Sequence, residues 1–182
     1  MPADGLSEIL AALDAVRDLP YDDEPVDQLQ HALQCAALAR DAGADGEVVV
    51  AALLHDVGRS PVVVSDLGSQ AGGDHGDLAA RWLAPRVGER IAWLARQHVA
   101  AKRYLRAVDP DYPLTPASLR SLQAQGGPLD DDELAAFRAH PWWREAVALR
   151  RWDDAGKRAG LSVPGLDSYR PQLREVTEWY QR

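Results

Sequence analysis

Four of the five histidines in this chain form a ladder, His31, His55, His75 and His98, which also contains Asp56 and is closed by Asp153. Imidazole suits iron, zinc and copper, and a carboxylate set between two ions can bridge them. The set therefore offers enough ligands for two metal ions, with Asp56, adjacent to His55, as the natural bridge. His55 and Asp56 also end a strongly apolar run, Ala51-Ala52-Leu53-Leu54. Two polar groups carried against a core need partners there, and coordination would satisfy both. His98 lies four residues before Lys102, so the two share one face of a helix. A lysine one turn from a metal ligand is poorly placed for the metal and well placed for an anion bound to it. His140, outside the ladder and just before Pro141, has no such context and reads as an ordinary side chain.

The gaps between the histidines are about two helix-plus-loop lengths each, so each histidine can stand on its own helix and face one shared interior. The elements that must hold them read as helices almost throughout. Leu6, Ile9, Leu10 and Leu13 recur at helical spacing, with Asp4 or Ser7 as caps. A second helix begins near Asp27 and ends at Gly43. Asp45 caps a third, which carries Val48, Val49, Ala52 and Leu53 toward His55 and stops at Gly58. That segment is apolar nearly all round, which predicts the central helix of the fold. The tract from Ser60 to Gly73 mixes Pro, Ser and Gly and predicts a loop over the site. Its Val62-Val63-Val64 is the only strand-like run, too short to imply a sheet. Helices resume at Asp74, at Glu89, and at Thr115-Pro116, where a cap precedes proline at the first helical position. Gly126-Gly127-Pro128 ends that one, and the acidic start Asp130-Asp131-Asp132-Glu133 complements the dipole of the next. Two more begin at Pro141 and about Pro171. No repeat and no composition shift marks a boundary, so residues 1–182 read as one all-α domain.

At 182 residues, 46% hydrophobic and 26% charged, the chain suits one well-filled core. Its net charge of −8 argues against nucleic acid or an anionic membrane as partner. A pocket on an acidic protein can still be locally basic. Cys35 is the only cysteine, which excludes an intrachain disulfide and a zinc–thiolate cluster. Within its helical run it reads as a small buried residue. No signal-peptide pattern opens the sequence, and no apolar run approaches the roughly 20 residues that span a bilayer. The expectation is a cytoplasmic monomer or small homo-oligomer.

The order His…His-Asp…Asp resembles the HD-domain superfamily of metal-dependent hydrolases and oxygenases. That resemblance implies an all-α HD fold with a di-metal site in the core of the helix bundle. Further segments look like one branch: Tyr21-Asp22-Asp23-Glu24, Gln28 to Gln34, Ala51 to Asp56, His98 to Leu105, Gln125 to Pro128, and Arg150-Arg151-Trp152-Asp153-Asp154. The branch is the mixed-valent di-iron oxygenases that cleave the carbon–phosphorus bond of 1-hydroxyphosphonates, such as 2-amino-1-hydroxyethylphosphonate and its trimethylammonio analogue. The similarity runs from about Tyr21 to Tyr169.

The resemblance implies that His31, His55, Asp56 and Asp153 hold one iron, while Asp56 bridges to a second held by His75 and His98. It further implies an Fe(II)/Fe(III) pair, dioxygen as co-substrate, and carboxylate plus inorganic phosphate as products. Tyr21 and Glu24 match a pair that closes the site without substrate; the tyrosine occupies the open iron position and the carboxylate can then face a cationic substrate end. Without the resemblance, that segment reads as an acidic turn before a helix. Lys102, Arg150 and Ser118 match anion-binding positions, and Ser121 lies one turn on. Arg59 is a departure, since the branch has histidine three residues after the bridging aspartate. Arginine offers more donors and a fixed charge, so it either holds the anion or reshapes the pocket. A separate hydroxylase that installs the 1-hydroxyl group is the implied pathway partner. The competing reading is a metal-dependent HD phosphohydrolase acting on a small phosphoester, for which the same ligands and the same Lys102 and Arg150 would serve. Inositol oxygenase-like chemistry is a third reading, and a non-enzymatic helical module that keeps a metal for stability is a fourth.

Overall fold

The helix built around Val48 to Leu54 organises the molecule. In the computed structural model, which describes residues 5–180, this helix, α3, spans Gly46–Leu54 and every residue from Val48 onward is buried. The Asp45 side chain caps it by accepting from the Val48 amide. Each of its fully buried Leu and Val side chains contributes roughly 1.5–3 kcal/mol. Two helices precede it: α1 (Gly5–Asp14) and α2 (Gln28–Asp41). In α2, Asp27 and Gln30 form a reciprocal capping box. Downstream lie α4 (Pro61–Leu67), α5 (His75–Val87) and the long α6 (Glu89–Val108). Then come α7 (Pro116–Ala124), α8 (Asp131–Ala139), α9 (Trp143–Ala155) and α10 (Arg170–Tyr180). Among the described residues there is no strand, only an isolated bridge between Pro20 and Asp27.

Helix α3 packs on α2, α6 and α9, while α5 pairs with α6 and α2 with α9. These five helices enclose the histidine ladder, and α10 closes the far side against α3 and α5. Two glycines permit the approach. Gly58, in a short 3-10 turn at Val57–Arg59, lies so close to α5 that a Cβ there would collide with the carbonyl of His75 and come within 2.8 Å of the Ala79 amide nitrogen. Gly156, at the end of α9, would place a Cβ 2.6 Å from the Cys35 sulfur of α2. Both contacts bring together segments that carry residues of the His/Asp ladder, so the missing side chains are a condition of that arrangement.

Three expectations are corrected. The tract 60–73 is not a loop over the site: Ser60-Pro61 starts α4, which packs on α1 and α5. Its valines are helical because Pro61 at the first position nucleates the turn and burial of Val63 outweighs β-propensity. Ser7 stands inside α1 rather than at its start, and Asp4 lies outside the described residues. Helix α3 stops at Leu54, before His55, and Gly58 is not its terminus. Among the described residues, no single helix is long and apolar enough to cross a membrane.

Candidate metal centre and anion pocket

His31 projects from α2, His55 caps the end of α3, Asp56 follows it, His75 opens α5, His98 sits midway along α6 and Asp153 lies in the last turn of α9. All six meet in the interior, where all but the half-buried His75 are buried. Three of the histidines are oriented by main-chain carbonyls. Nδ1 of His31 donates to Gly156 O at 2.8 Å, that of His55 to Ala52 O at 2.9 Å, and that of His98 to Ala95 O at 2.6 Å. A carbonyl can only accept, so Nδ1 carries a proton and Nε2 is the nitrogen left to face a metal. These Nε2 atoms converge: His31 and His55 lie 3.2 Å apart, His75 and His98 2.9 Å apart.

The Asp56 carboxylate stands between the two pairs. Its Oδ2 is 3.4 Å from His55 Nε2 and 3.8 Å from His31 Nε2. Its Oδ1 is 3.1 Å from His75 Nε2 and 3.7 Å from His98 Nε2. Asp153 Oδ1 adds a contact to His31 at 3.4 Å. Among the described residues, both Asp56 oxygens and Asp153 Oδ1 are buried with no hydrogen-bond partner. Buried lone pairs without donors are costly, and a metal cation satisfies them all at once. The donor set therefore fits metal ions, with one oxygen of Asp56 facing each histidine pair. Cys35 is fully buried with its sulfur 3.6 Å from His31 Nε2 and joins the His31–His55 group sterically.

Electrostatics keep most of these groups in the form a metal requires. Burial, joined by the charge of His75, pushes the His98 imidazole down to about 3, and burial also lowers His55, so both stay neutral. Burial alone would raise the Asp56 carboxyl, but His55, Arg59 and His75 together hold it well below the usual carboxylate range. Asp153 is likewise held low, with Arg150 and Lys157 outweighing burial. His31 goes the other way: burial would lower it, yet Cys35 and Asp153 raise it, so a metal arriving there displaces a proton.

A cavity of about 60 Å³ opens beside this centre. One wall is basic. Lys102 Nζ donates to Ser121 Oγ at 2.6 Å, and Ser121 in turn donates to the Ser118 carbonyl at 3.0 Å. Arg150 is buried, 2.7 Å from Asp153 Oδ2 and bonded to Asp154 by a second ion pair. Lys157, which sequence reasoning missed, lies 3.3 Å from Ser118 Oγ and 3.6 Å from Asp153 Oδ1. Its position just past the Gly156 cap hides its direction in the sequence; only its spacing of four from Asp153 hinted at it. Burial and the neighbouring Arg150 push the Lys102 ammonium down to about 8, so it is charged at neutral pH.

The other wall is the turn 20–27, a strap closed at its base by Gln28 N donating to Leu19 O and Tyr21 N to Val26 O. Tyr21 is buried and stacks on His31 with ring centroids 4.0 Å apart. Burial and the carboxylates of Asp56 and Asp153 raise its hydroxyl well above the ordinary value, so it stays protonated. Three acidic residues tie the strap to two segments, the turn at Val57–Arg59 and helix α7. Asp22 meets Arg59 at 3.3 Å, Asp23 pairs with Arg120 of α7, and Glu24 accepts from the Thr115 hydroxyl at 2.6 Å. Arg59 Nε is also 3.6 Å from Asp56 Oδ1. The strap, not the 60–73 tract, borders the cavity. His140 is remote, stacked on Trp93 with centroids 3.6 Å apart.

Comparison with known proteins agrees with this architecture. The HD domain family matches residues 29–125. A hydroxymethylphosphonate dioxygenase from Gimesia maris is 42% identical over 161 residues, covering 86% of this chain and 80% of its own length. The [1-hydroxy-2-(trimethylamino)ethyl]phosphonate dioxygenase (glycine-betaine-forming) of Leisingera caerulea is 37% identical over 168 residues, covering 88% and 84%. An uncharacterized protein of Acanthamoeba polyphaga mimivirus is 32% identical over 161 residues, covering 85% and 74%. The chain belongs to the HD domain family.

Proposed function

We propose that this HD-family enzyme is an oxygenase that cleaves the carbon–phosphorus bond of a 1-hydroxyphosphonate, giving a carboxylate and inorganic phosphate. The observation that carries it is the juxtaposition of a two-part His/Asp centre, bridged by Asp56, with a basic cavity wall of Lys102, Arg150 and Lys157. Its likeness to two named phosphonate dioxygenases supports the reaction class. The reaction balances as hydroxyphosphonate plus dioxygen to carboxylate, phosphate and a proton. Carbon C1 is oxidised from alcohol to carboxylate level, and one oxygen atom goes to each product.

In this reading His31, His55, Asp56 and Asp153 hold one iron, and Asp56, His75 and His98 the other. Bound iron would supply chelation of the substrate oxygens and activation of dioxygen. The protein's own groups bind and orient. Lys102 and Lys157 contribute ammonium donors to the phosphonate, and Ser118 and Ser121 contribute hydroxyls on the same wall. Arg150 adds positive charge behind Asp153. Tyr21 and the strap cover the centre and exclude water, in keeping with the closing role that the resemblance implies for Tyr21 and Glu24. Of the helices outside the matched stretch, α9 packs on α2, α3 and α6, and α10 on α3 and α5, which supports reading 1–182 as a single HD domain. An upstream hydroxylase would supply the substrate.

The test is phosphate release from hydroxymethylphosphonate and racemic 2-amino-1-hydroxyethylphosphonate by iron-loaded protein, with and without dioxygen. Phosphate formed only in air, with oxygen consumed in step, is the expected result. Release that is equal without oxygen, or confined to phosphoesters, would replace the reading with a phosphohydrolase.

A further inference from the structure

We propose that Arg59 sets substrate selectivity here. Its guanidinium takes, from within the chain, the place that a cationic substituent on C1 would occupy, so the site selects 1-hydroxyphosphonates whose C1 substituent is uncharged. This inference rests on the oxygenase reading above and narrows its substrate.

An ammonium substituent is recognised by a carboxylate and an aromatic face close together. Opposite the basic wall, the cavity offers that combination in Asp22 and Tyr21. Arg59 already engages both. Its Nη1 lies 3.3 Å from Asp22 Oδ1 and its Nη2 3.5 Å from Oδ2, and the guanidinium carbon is 5.4 Å from the Tyr21 ring centroid. The ring is further packed by His31, and Lys157 Nζ stands 5.6 Å from its centroid. A second cation at this ring would meet charge of its own sign.

The backbone holds this arrangement in place. Asp22 has φ +48°, a left-handed conformation that Asp tolerates better than most residues. Its neighbours Asp23 and Glu24 are tied to Arg120 and Thr115, so the strap keeps Asp22 turned toward Arg59. Arg59 itself follows Asp56 by one turn, its amide donating to the Asp56 carbonyl at 2.9 Å. Glu24 is the remaining lining carboxylate without a basic partner among the described residues. It is engaged by Thr115, the cap of α7, where the helix dipole favours a negative charge.

The experiment is calorimetric titration of metal-loaded protein under argon with hydroxymethylphosphonate and with 2-amino-1-hydroxyethylphosphonate, followed by phosphate release from each in air. Wild type should bind hydroxymethylphosphonate at least about ten-fold more tightly, and Arg59→Gln should bring that ratio below about three-fold. Arg59→Lys should keep most of the preference. Arg120→Gln, which loosens the strap at its other tether while Thr115 still holds Glu24, should lower the ratio less than Arg59→Gln does. Equal binding by wild type, preference for the amine through Glu24, an unmoved ratio in Arg59→Gln, or an equal shift in Arg120→Gln would each overturn the proposal. Selective binding without oxygen-dependent phosphate release would remove the oxygenase reading and leave the selectivity standing. Oxygen-dependent release from both compounds with equal affinity would do the reverse, and binding of neither would remove both.

Discussion

Replacing Asp56 with asparagine tests the bridge directly. The side chain keeps its shape and loses one unit of charge and one oxygen. In the structure each carboxylate oxygen faces its own histidine pair, at distances of 3.1 to 3.8 Å from the four Nε2 atoms. An ion shared by either pair therefore lies within about 4 Å of the carboxylate. A unit charge acting on each unit of the ion's charge at that range, with an effective dielectric near 20, contributes about 4 kcal/mol, so the affinity of a divalent ion should fall by at least that much. That corresponds to about three decades of metal affinity. The metal-free variant loses the attraction between Arg59 and the carboxylate, so it should be less stable than wild type but still fold cooperatively. The assay is metal per chain by mass spectrometry after dialysis against a micromolar metal buffer, beside denaturant melts of both apo proteins. Wild type should retain two ions per chain and Asp56→Asn at most one. Two full equivalents in the variant would refute the bridge, and a collapsed apo melt would show that the carboxylate serves the fold.

Other consequences are equally open to measurement. Gly58→Ala forces a methyl into the His75 carbonyl, so it should cost roughly 3 kcal/mol or more in chemical denaturation and lower metal content with it. Lys157→Met removes an ammonium from the anion wall and should weaken inorganic phosphate binding by about ten-fold, with the fold intact by circular dichroism. Because Lys102 is charged below about 8 and neutral above it, phosphate affinity should fall as pH rises from about 7 to about 9. Lys102→Arg should flatten that fall, since guanidinium keeps its proton throughout. A profile unchanged by the substitution would assign the titration to another group.

The convergence of the His/Asp ladder was readable without coordinates because it breaks the apolar pattern. His55 and Asp56 follow a segment with no polar face, and polar atoms delivered into a core need partners wherever the chain goes. The helical periods, the Asp27 and Asp45 caps and the Thr115-Pro116 start were readable for a similar reason: they are local, and the helix satisfies its own backbone. The tract 60–73 misled because Ser, Pro and Gly also mark helix ends. Here Pro61 starts α4 and Gly68 closes it, and packing on α1 and α5 decides the matter.

The residues that define the pocket depend on contacts between segments far apart in sequence. Lys157 lies beyond the last turn of α9, so its direction depends on how the chain leaves Gly156, which is set by the contact of that glycine with Cys35 on α2. Arg59 stood out in the sequence only as a substitution at an expected histidine. Its engagement with Asp22 and Tyr21 follows from a strap that folds across the cavity mouth. The sequence by itself determined which side chains must be buried together, because burial of polar groups follows from local pattern and charge. Tertiary structure decided which of them face one another, because that depends on close approaches such as Gly58 against α5, where removing a single Cβ lets two segments meet.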